Sequence, residues 1–294
     1  MSKAETLKKL FLVSRPISWP NTSYPFAAGY IIATLLSGVP LQLPALILGT
    51  LYFIGPYNLL MYGINDIFDY ESDIKNPRKG GVEGMKESRA LHPAIMRAVL
   101  WTNIPFIIAL LALGSWHANI ALLVVVFAAI AYSAEGLRFK EIPLLDSITS
   151  SLHFVGPLVY ALLLVNFPVH AWPWVTAFFL WGMASHAFGA VQDIIPDRKG
   201  DIKSIATLFG ARATVIFSVA LYVVATLLVL TQGLVYIPIA AMGACYIANS
   251  ARFITVNDKT SASTNKGWKQ FLWLNYVTGM IITFVIIINL STHF

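Results

Sequence analysis

The sequence predicts an all-α, polytopic membrane protein of nine transmembrane helices, with its N-terminus cytoplasmic and its C-terminus outside. Three observations predict it. Of the 294 residues, 57% are hydrophobic and only 12% charged, against about a quarter charged in an ordinary soluble domain, and the mean hydropathy is +0.70. The apolar residues gather into runs that approach the roughly 17–25 residues needed to cross a bilayer as a helix. The charges fall on alternate loops only.

The runs are 17–37, 44–64, 94–114, 118–134, 146–165, 172–192, 212–231, 234–251 and 271–291. The first follows a basic, amphipathic start without a small-residue cleavage site, so it reads as a retained span. The fourth is short, and only Gln232 and Gly233 separate the seventh from the eighth. The twenty Lys and Arg residues lie in the N-terminal segment (Lys3, Lys8, Lys9, Arg15) or at and after the ends of the second, fourth, sixth and eighth runs. Lys and Arg are retained on the cytoplasmic side of short loops, which sets the orientation. The intervening loops, such as 38-GVP-40 and 166-NFPVHA-171, contain no charged residue. The fourteen acids share the basic side, so the net charge of +6 belongs to one face. Such a face suits anionic lipid or an anionic soluble substrate. No nucleic-acid partner is expected. The single Cys245 excludes an intrachain disulfide and reads as packing.

Two acidic clusters carry the chemistry. The second run ends in 64-INDIFDYESDIKNPRKGG-81, with Asp66, Asp69 and Asp73 at intervals of three and four; the sixth ends in 193-DIIPDRKGDIKS-204, with Asp193, Asp197 and Asp201 at intervals of four. Either spacing places one carboxylate per turn on one face if the helix continues. The order acid, Pro, basic pair, Gly recurs in 77-PRKG-80 and 196-PDRKG-200. This suggests one domain over 1–294 built from a four-helix unit used twice, helices 1–4 and 5–8, followed by a ninth helix. Carboxylates at helix C-termini oppose the macrodipole, and like charges on one face repel. A divalent cation removes both penalties. Oxygen ligands without His or Cys favour Mg²⁺, which takes one or two carboxylates and leaves its other positions to water and phosphate oxygens. Nearby Arg78, Lys79, Arg198 and Lys199, with Arg138 and Lys140 in 132-YSAEGLRFK-140, can neutralise phosphate oxygens beyond the metal's reach. The constellation reads as a site for a metal-bound diphosphate.

At these residues the sequence resembles the UbiA superfamily of intramembrane prenyltransferases. The resemblance rests on N-D-x-x-D-x-x-x-D (Asn65, Asp66, Asp69, Asp73), Y-x-x-x-x-x-R-x-K (Tyr132, Arg138, Lys140) and D-x-x-x-D-x-x-x-D (Asp193, Asp197, Asp201). It implies helices around a central cavity beneath a cytoplasmic cap, and two aspartate motifs that hold Mg²⁺ and an isoprenyl diphosphate. Aromatic-acceptor members commonly follow the first motif with V-x-R-T-x-x-R-P, where this chain has 74-IKNPRKGGVEG-84. The segment 57–81 instead looks like the carotenoid branch, the lycopene elongases. The resemblance thus implies transfer from dimethylallyl diphosphate to lycopene in a prokaryotic cell membrane, with the active site open to the cytoplasm and association with other carotenoid enzymes possible. A quinone-ring precursor or another polyprenyl lipid is the alternative acceptor.

The expected roles follow. Asp66, Asp69, Asp73, Asp193, Asp197 and Asp201 are the metal ligands. Asn58, Asn65, Arg78, Lys79, Arg138, Lys140 and Lys199 contact diphosphate, and Asp69, Asp197 and Lys140 are the residues on which turnover depends most. Intramembrane His153 and His186 either hydrogen-bond a neighbouring helix or accept the terminal proton. Asp146, near a helix start, reads as a cap. A transporter is the rival from another class, but it would carry charges near the midplane. Here the acids sit at the cytoplasmic ends.

Overall fold

In the computed structural model of the protein, residues 2–75, 89–166 and 169–291 are described. Among these residues every regular element is helical. Seven helical stretches are long and apolar enough to cross a membrane: Leu43–Phe68, Arg89–Leu113, Leu145–Leu164, Val169–Val191, Ala211–Leu230, Leu234–Ala251 and Asp258–Asn289. The first expected span is α2 (Pro20–Ser37), which follows the amphipathic α1 (Lys3–Val13) and opens on Asn21, Thr22 and Ser23. The short fourth span is α7 (Trp116–Ala131), 16 residues, whose N-cap Ser115 accepts the amide of Ala118 at 3.4 Å. Between α12 (Ala211–Leu230) and α13 (Ile237–Ala251), Gly233 at φ 127° makes a turn that an L side chain would strain.

The second expected span is not one helix. It divides into α3 (Leu43–Ile54) and α4 (Pro56–Phe68) at Gly55. Pro56 has no amide hydrogen and its ring crowds the preceding turn, so the ladder stops there. The released carbonyls need donors, because hydrocarbon offers none. The Thr22 hydroxyl donates to Phe53 O at 2.7 Å, and Asn58 Nδ2 donates to Phe53 O at 2.7 Å and Ile54 O at 3.1 Å.

The chain forms two compact units, one of Met1–Phe139 with Leu152–Val169 and the other of Lys140–Ser151 with His170–Phe294. Lipid tails are as apolar as Leu, so packing rather than water exclusion holds such helices together. In the first unit Phe26, Tyr52, Phe53, Tyr57 and Tyr160 are fully buried. Gly49 on α3 lets Phe26 lie against the backbone, since a Cβ there would stand 2.0 Å from its Cζ. The second unit contains α9 (Trp172–Val191), α12, α13 and α14 (Asn265–Ser291), with Ala184, Tyr222, Tyr246 and Phe271 packed together. The Ser185 and Tyr222 hydroxyls pair at 2.9 Å in that layer. Large apolar side chains such as Leu36, Ile108, Leu227 and Ile288 are exposed, as expected of surfaces that face lipid.

Candidate active site

The first acidic motif straddles a break in the helix. Asn65 and Asp66 stand on the last turn of α4, Asp69 is its C-cap at φ −96°, ψ −1°, and Asp73 lies on the short α5 (Tyr70–Lys75). One uninterrupted helix is therefore not formed. The Asp73 amide nonetheless donates to Asp69 O at 2.8 Å, so the carboxylates remain on successive turns. All three are buried, with 4%, 6% and 6% exposure for Asp66, Asp69 and Asp73.

Buried carboxylates require donors and counter-charge. Asn65 Nδ2 donates to Asp69 Oδ2 at 2.7 Å and to Ser133 Oγ at 2.9 Å, joining the α4 end to the segment after α7. Arg138 reaches the same corner, with Nη2 at 3.7 Å from Asp69 Oδ1 and Nη1 donating to Phe68 O at 3.4 Å. Its charge faces the negative end of α4. The turn that delivers it runs through Gly136 at φ 84° and Arg138 at φ 43°. Asn65, Asp69, Ser133 and Arg138 thus form one polar cluster in the first unit.

Arg15 joins Asp66 unannounced by the sequence. Its Nη2 lies 2.8 Å from Asp66 Oδ1 and its guanidinium covers the Tyr62 ring at 4.1 Å. The only sequence signal was a basic residue before Pro16, which reads equally well as a cytoplasmic anchor. Asn58 stands apart from this cluster. It lies seven residues, about 10 Å, below Asn65 along α4, is fully buried, and gives its Nδ2 to the α3–α4 break and to Thr22 Oγ1 at 2.8 Å. These bonds tie the start of α4 to α3 and α2. Arg78 and Lys79 lie outside the described residues.

The second motif repeats the local backbone of the first. Asp193, which caps α10 (Ile194–Lys199), has φ −97° and ψ 0°, and its carbonyl accepts the Asp197 amide at 2.9 Å. By this geometry Asp193 corresponds to Asp69 and Asp197 to Asp73, whereas the sequence spacing pairs the aspartates first with first. Asp66 and Asp201 have no aspartate counterparts. Asp193 and Asp197 are half-buried, while Asp201, at φ 54°, and Lys199 are exposed. Arg198 is taken up by the scaffold: Nη1 bonds Asp258 Oδ2 at 2.6 Å and Nη2 bonds Thr207 O at 2.9 Å. Asp258 also accepts the first amide of α12, Ala211 N, at 2.7 Å.

Lys140 belongs to the second unit, half-buried in the 3-10 turn Phe139–Glu141. His153 lies edge-on to Tyr132 with centroids 5.1 Å apart, and its Nε2 stands 3.5 Å from Ala128 O. This is the helix-bridging arrangement. Asp146 is wholly buried at the start of α8 (Leu145–Leu164) and accepts the amides of Ser147 and Ile205, each at 2.6 Å. It caps its own helix and ties down the chain that follows the second motif.

Helical spans with oxygen-only acidic motifs at two helix ends, one flanked by Asn65 and Arg138, describe an integral membrane enzyme that handles a charged group. Residues 23–275 match the UbiA prenyltransferase family. The chain belongs to that family and is a prenyltransferase of its class. It is 46% identical over 288 residues to the C(50) beta-cyclic carotenoids biosynthesis protein LbtBC of Dietzia sp. (strain CQ4), a match that covers 96% of this chain and 65% of that protein. It is 44% identical over 286 residues to the lycopene elongase/hydratase of Corynebacterium glutamicum, covering 96% of this chain and 98% of the other. Among solved structures, a UbiA homologue from Archaeoglobus fulgidus bound to DMAPP and Mg²⁺ superposes with a TM-score of 0.62 at 20% identity, covering 92% of this chain and 99% of that one. A UbiA homologue from Aeropyrum pernix K1 gives 0.65 at 21% identity, covering 93% and 98%. These two show that the fold is shared.

Proposed function

We propose that this protein transfers a dimethylallyl group from dimethylallyl diphosphate to lycopene, releasing diphosphate and building a C50 carotenoid. The observation that carries the acceptor is the match, over almost the whole of both chains, to a protein named for lycopene elongation. The chemistry is supported by the cluster of buried Asp69 with half-buried Asn65 and Arg138 at the end of an apolar helix. In this reading the protein crosses the membrane nine times with its N-terminus and both motifs cytoplasmic, as one domain with a repeated four-helix unit.

Asp66, Asp69, Asp73, Asp193, Asp197 and Asp201 are the proposed oxygen ligands for Mg²⁺. Among the described residues no three acidic, His or Cys side chains converge as a ready-made cage. Mg²⁺ does not require one, since it is commonly held by one or two carboxylates together with phosphate and water. The all-oxygen donor set fits it. Held by these carboxylates, a bound Mg²⁺ would supply positive charge to the departing diphosphate. Arg138, Lys140, Lys199, Arg78 and Lys79 neutralise the rest, and Asn65 orients Asp69 toward its task. Such donors act where charge develops, and losing one costs about 10²–10³ in turnover. The apolar helices keep water from the allylic cation until the acceptor double bond captures it.

Membranes carrying the protein, given lycopene, dimethylallyl diphosphate and Mg²⁺, should yield products heavier by one and two C5 units, and a chelator should stop the reaction. Consumption of a hydroxybenzoate in place of lycopene would move the acceptor to quinone precursors.

A further inference from the structure

The mechanism above ends with a cation on the acceptor and names no group to take its proton. In the second unit the first residues of α8, up to Ser151, lie against α9: a Cβ on Gly182 would stand 2.3 Å from Ser151 Oγ and 3.1 Å from Ser151 Cα, and Ser151 Oγ donates to Phe179 O at 2.7 Å. One turn further along each helix, Ser147 Oγ meets His186 Nδ1 at 3.1 Å. Ser147 Oγ also donates to Asp146 Oδ1 at 3.2 Å. Asp146 and Ser147 are both fully buried.

The proton positions follow from the chemistry of the three groups. A carboxylate only accepts, so the single Ser147 hydrogen is directed to Asp146. Ser147 can then only accept from His186, which assigns the ring hydrogen to Nδ1 and the lone pair to Nε2. His186 stands on α9, which ends at Val191, and Asp193 follows that end, its amide donating to Ala190 O at 3.1 Å. His186 is thus about one and a half turns, roughly 8 Å, inside the last residue of the helix. A prenyl chain whose diphosphate is held at Asp193 and which runs down α9 carries its reacting end toward His186.

We propose that His186 is the catalytic base that terminates the transfer, with Ser147 and Asp146 as its positioning residues; this rests on the function proposed above. The C1–O bond of dimethylallyl diphosphate breaks with its electron pair going to oxygen. The terminal double bond of the acceptor supplies the pair for the new C–C bond. The adjacent carbon of the resulting tertiary cation gives its proton to Nε2, and that C–H pair becomes the new double bond. The imidazolium, whose charge Asp146 offsets through Ser147, then returns the proton to the departing diphosphate. Capping explains the amide bonds of Asp146, but it does not require the Ser147–His186 contact.

The test measures elongated alkene, elongated alcohol and released diphosphate together, using lycopene, dimethylallyl diphosphate and Mg²⁺. Loss of a general base costs about 10²–10⁴. His186→Gln should therefore lower elongated alkene per diphosphate released by about 100-fold, with the balance shifted to water-trapped alcohols. Deuterium at the carbon that loses the proton should slow the variant more than the wild type. Ser147→Ala should shift the same ratio in the same direction, and it stands in if His186→Gln fails to fold. A folded His186→Gln or Ser147→Ala protein with the wild-type product ratio overturns the relay. A wild type that leaves lycopene untouched overturns the proposed function, and the relay with it.

Discussion

Arg15 and Asp66, far apart in sequence, meet at 2.8 Å, with the Arg15 guanidinium also lying over Tyr62. Asp66 is almost wholly buried and Arg15 largely so, with side-chain exposures of 2% and 13%. Removing Arg15 takes a counter-charge from a buried carboxylate, and breaking a buried pair costs up to about 3–5 kcal/mol. Arg15→Ala should therefore lower the unfolding midpoint of the detergent-solubilised protein, and Arg15→Lys should lower it less. An unchanged midpoint in Arg15→Ala would show that the pair contributes nothing to the fold.

Asn58 offers a separation of structure from binding. Its amide serves the carbonyls of Phe53 and Ile54 where Pro56 breaks the ladder. Asn58→Ala should cost about 1–3 kcal/mol through the stranded backbone groups. The KM for dimethylallyl diphosphate should stay at its wild-type value. A large rise in KM with stability intact would place Asn58 on the diphosphate instead.

Asp69 and Asp197 are expected to be indispensable to turnover. Asp69→Asn and Asp197→Asn keep the shape of the side chain and remove its charge. Each should reduce turnover by at least about 100-fold, the scale of losing one element of charge stabilisation, while thermal unfolding remains cooperative. Full activity in either variant, measured with saturating Mg²⁺, removes that residue from the metal assignment.

Gly182 on α9 sets how closely Ser151 approaches. Its missing side chain admits Ser151, whose backbone lies within 3.1 Å of the position a Cβ would take. Gly182→Ala crowds Ser151 and should destabilise by about 1–3 kcal/mol, as overpacking does. Adding Ser151→Gly should recover part of the loss. Thermal melts of the single and double variants check this, and strict additivity would count against direct contact.

The positions of the helices were legible because apolar runs of span length leave few alternatives. Observed ends fall within a few residues of the expected ones for α6 (His92–Leu113), α8, α9 and α12. Hydropathy averages over backbone detail, so the division at Gly55 escaped it even though Gly55-Pro56 is a recognisable breaker pair. The acidic motifs were found from spacing alone, but the correspondence of Asp69 with Asp193 was not. That correspondence depends on where each helix lets go, which the intervals between carboxylates do not record. The Arg15–Asp66 pairing was equally hidden, since nothing local marks a partner 51 positions away. Ser147–His186 is also a long-range contact, and only the packing of α8 on α9 reveals it.

Arg198, the sole guanidinium in 193–204, spends its planar fork on Asp258 and Thr207. A fork engaged in that way is not available for two-pronged recognition of an arriving anion. An anion held at the second motif, as proposed, would meet ammonium groups instead, from Lys199 and Lys203. A compact ammonium on a long stem can swivel to follow an oxygen as it moves away, which a rigid plane does poorly. On the proposed function, that exchange would favour release of diphosphate over its tight retention.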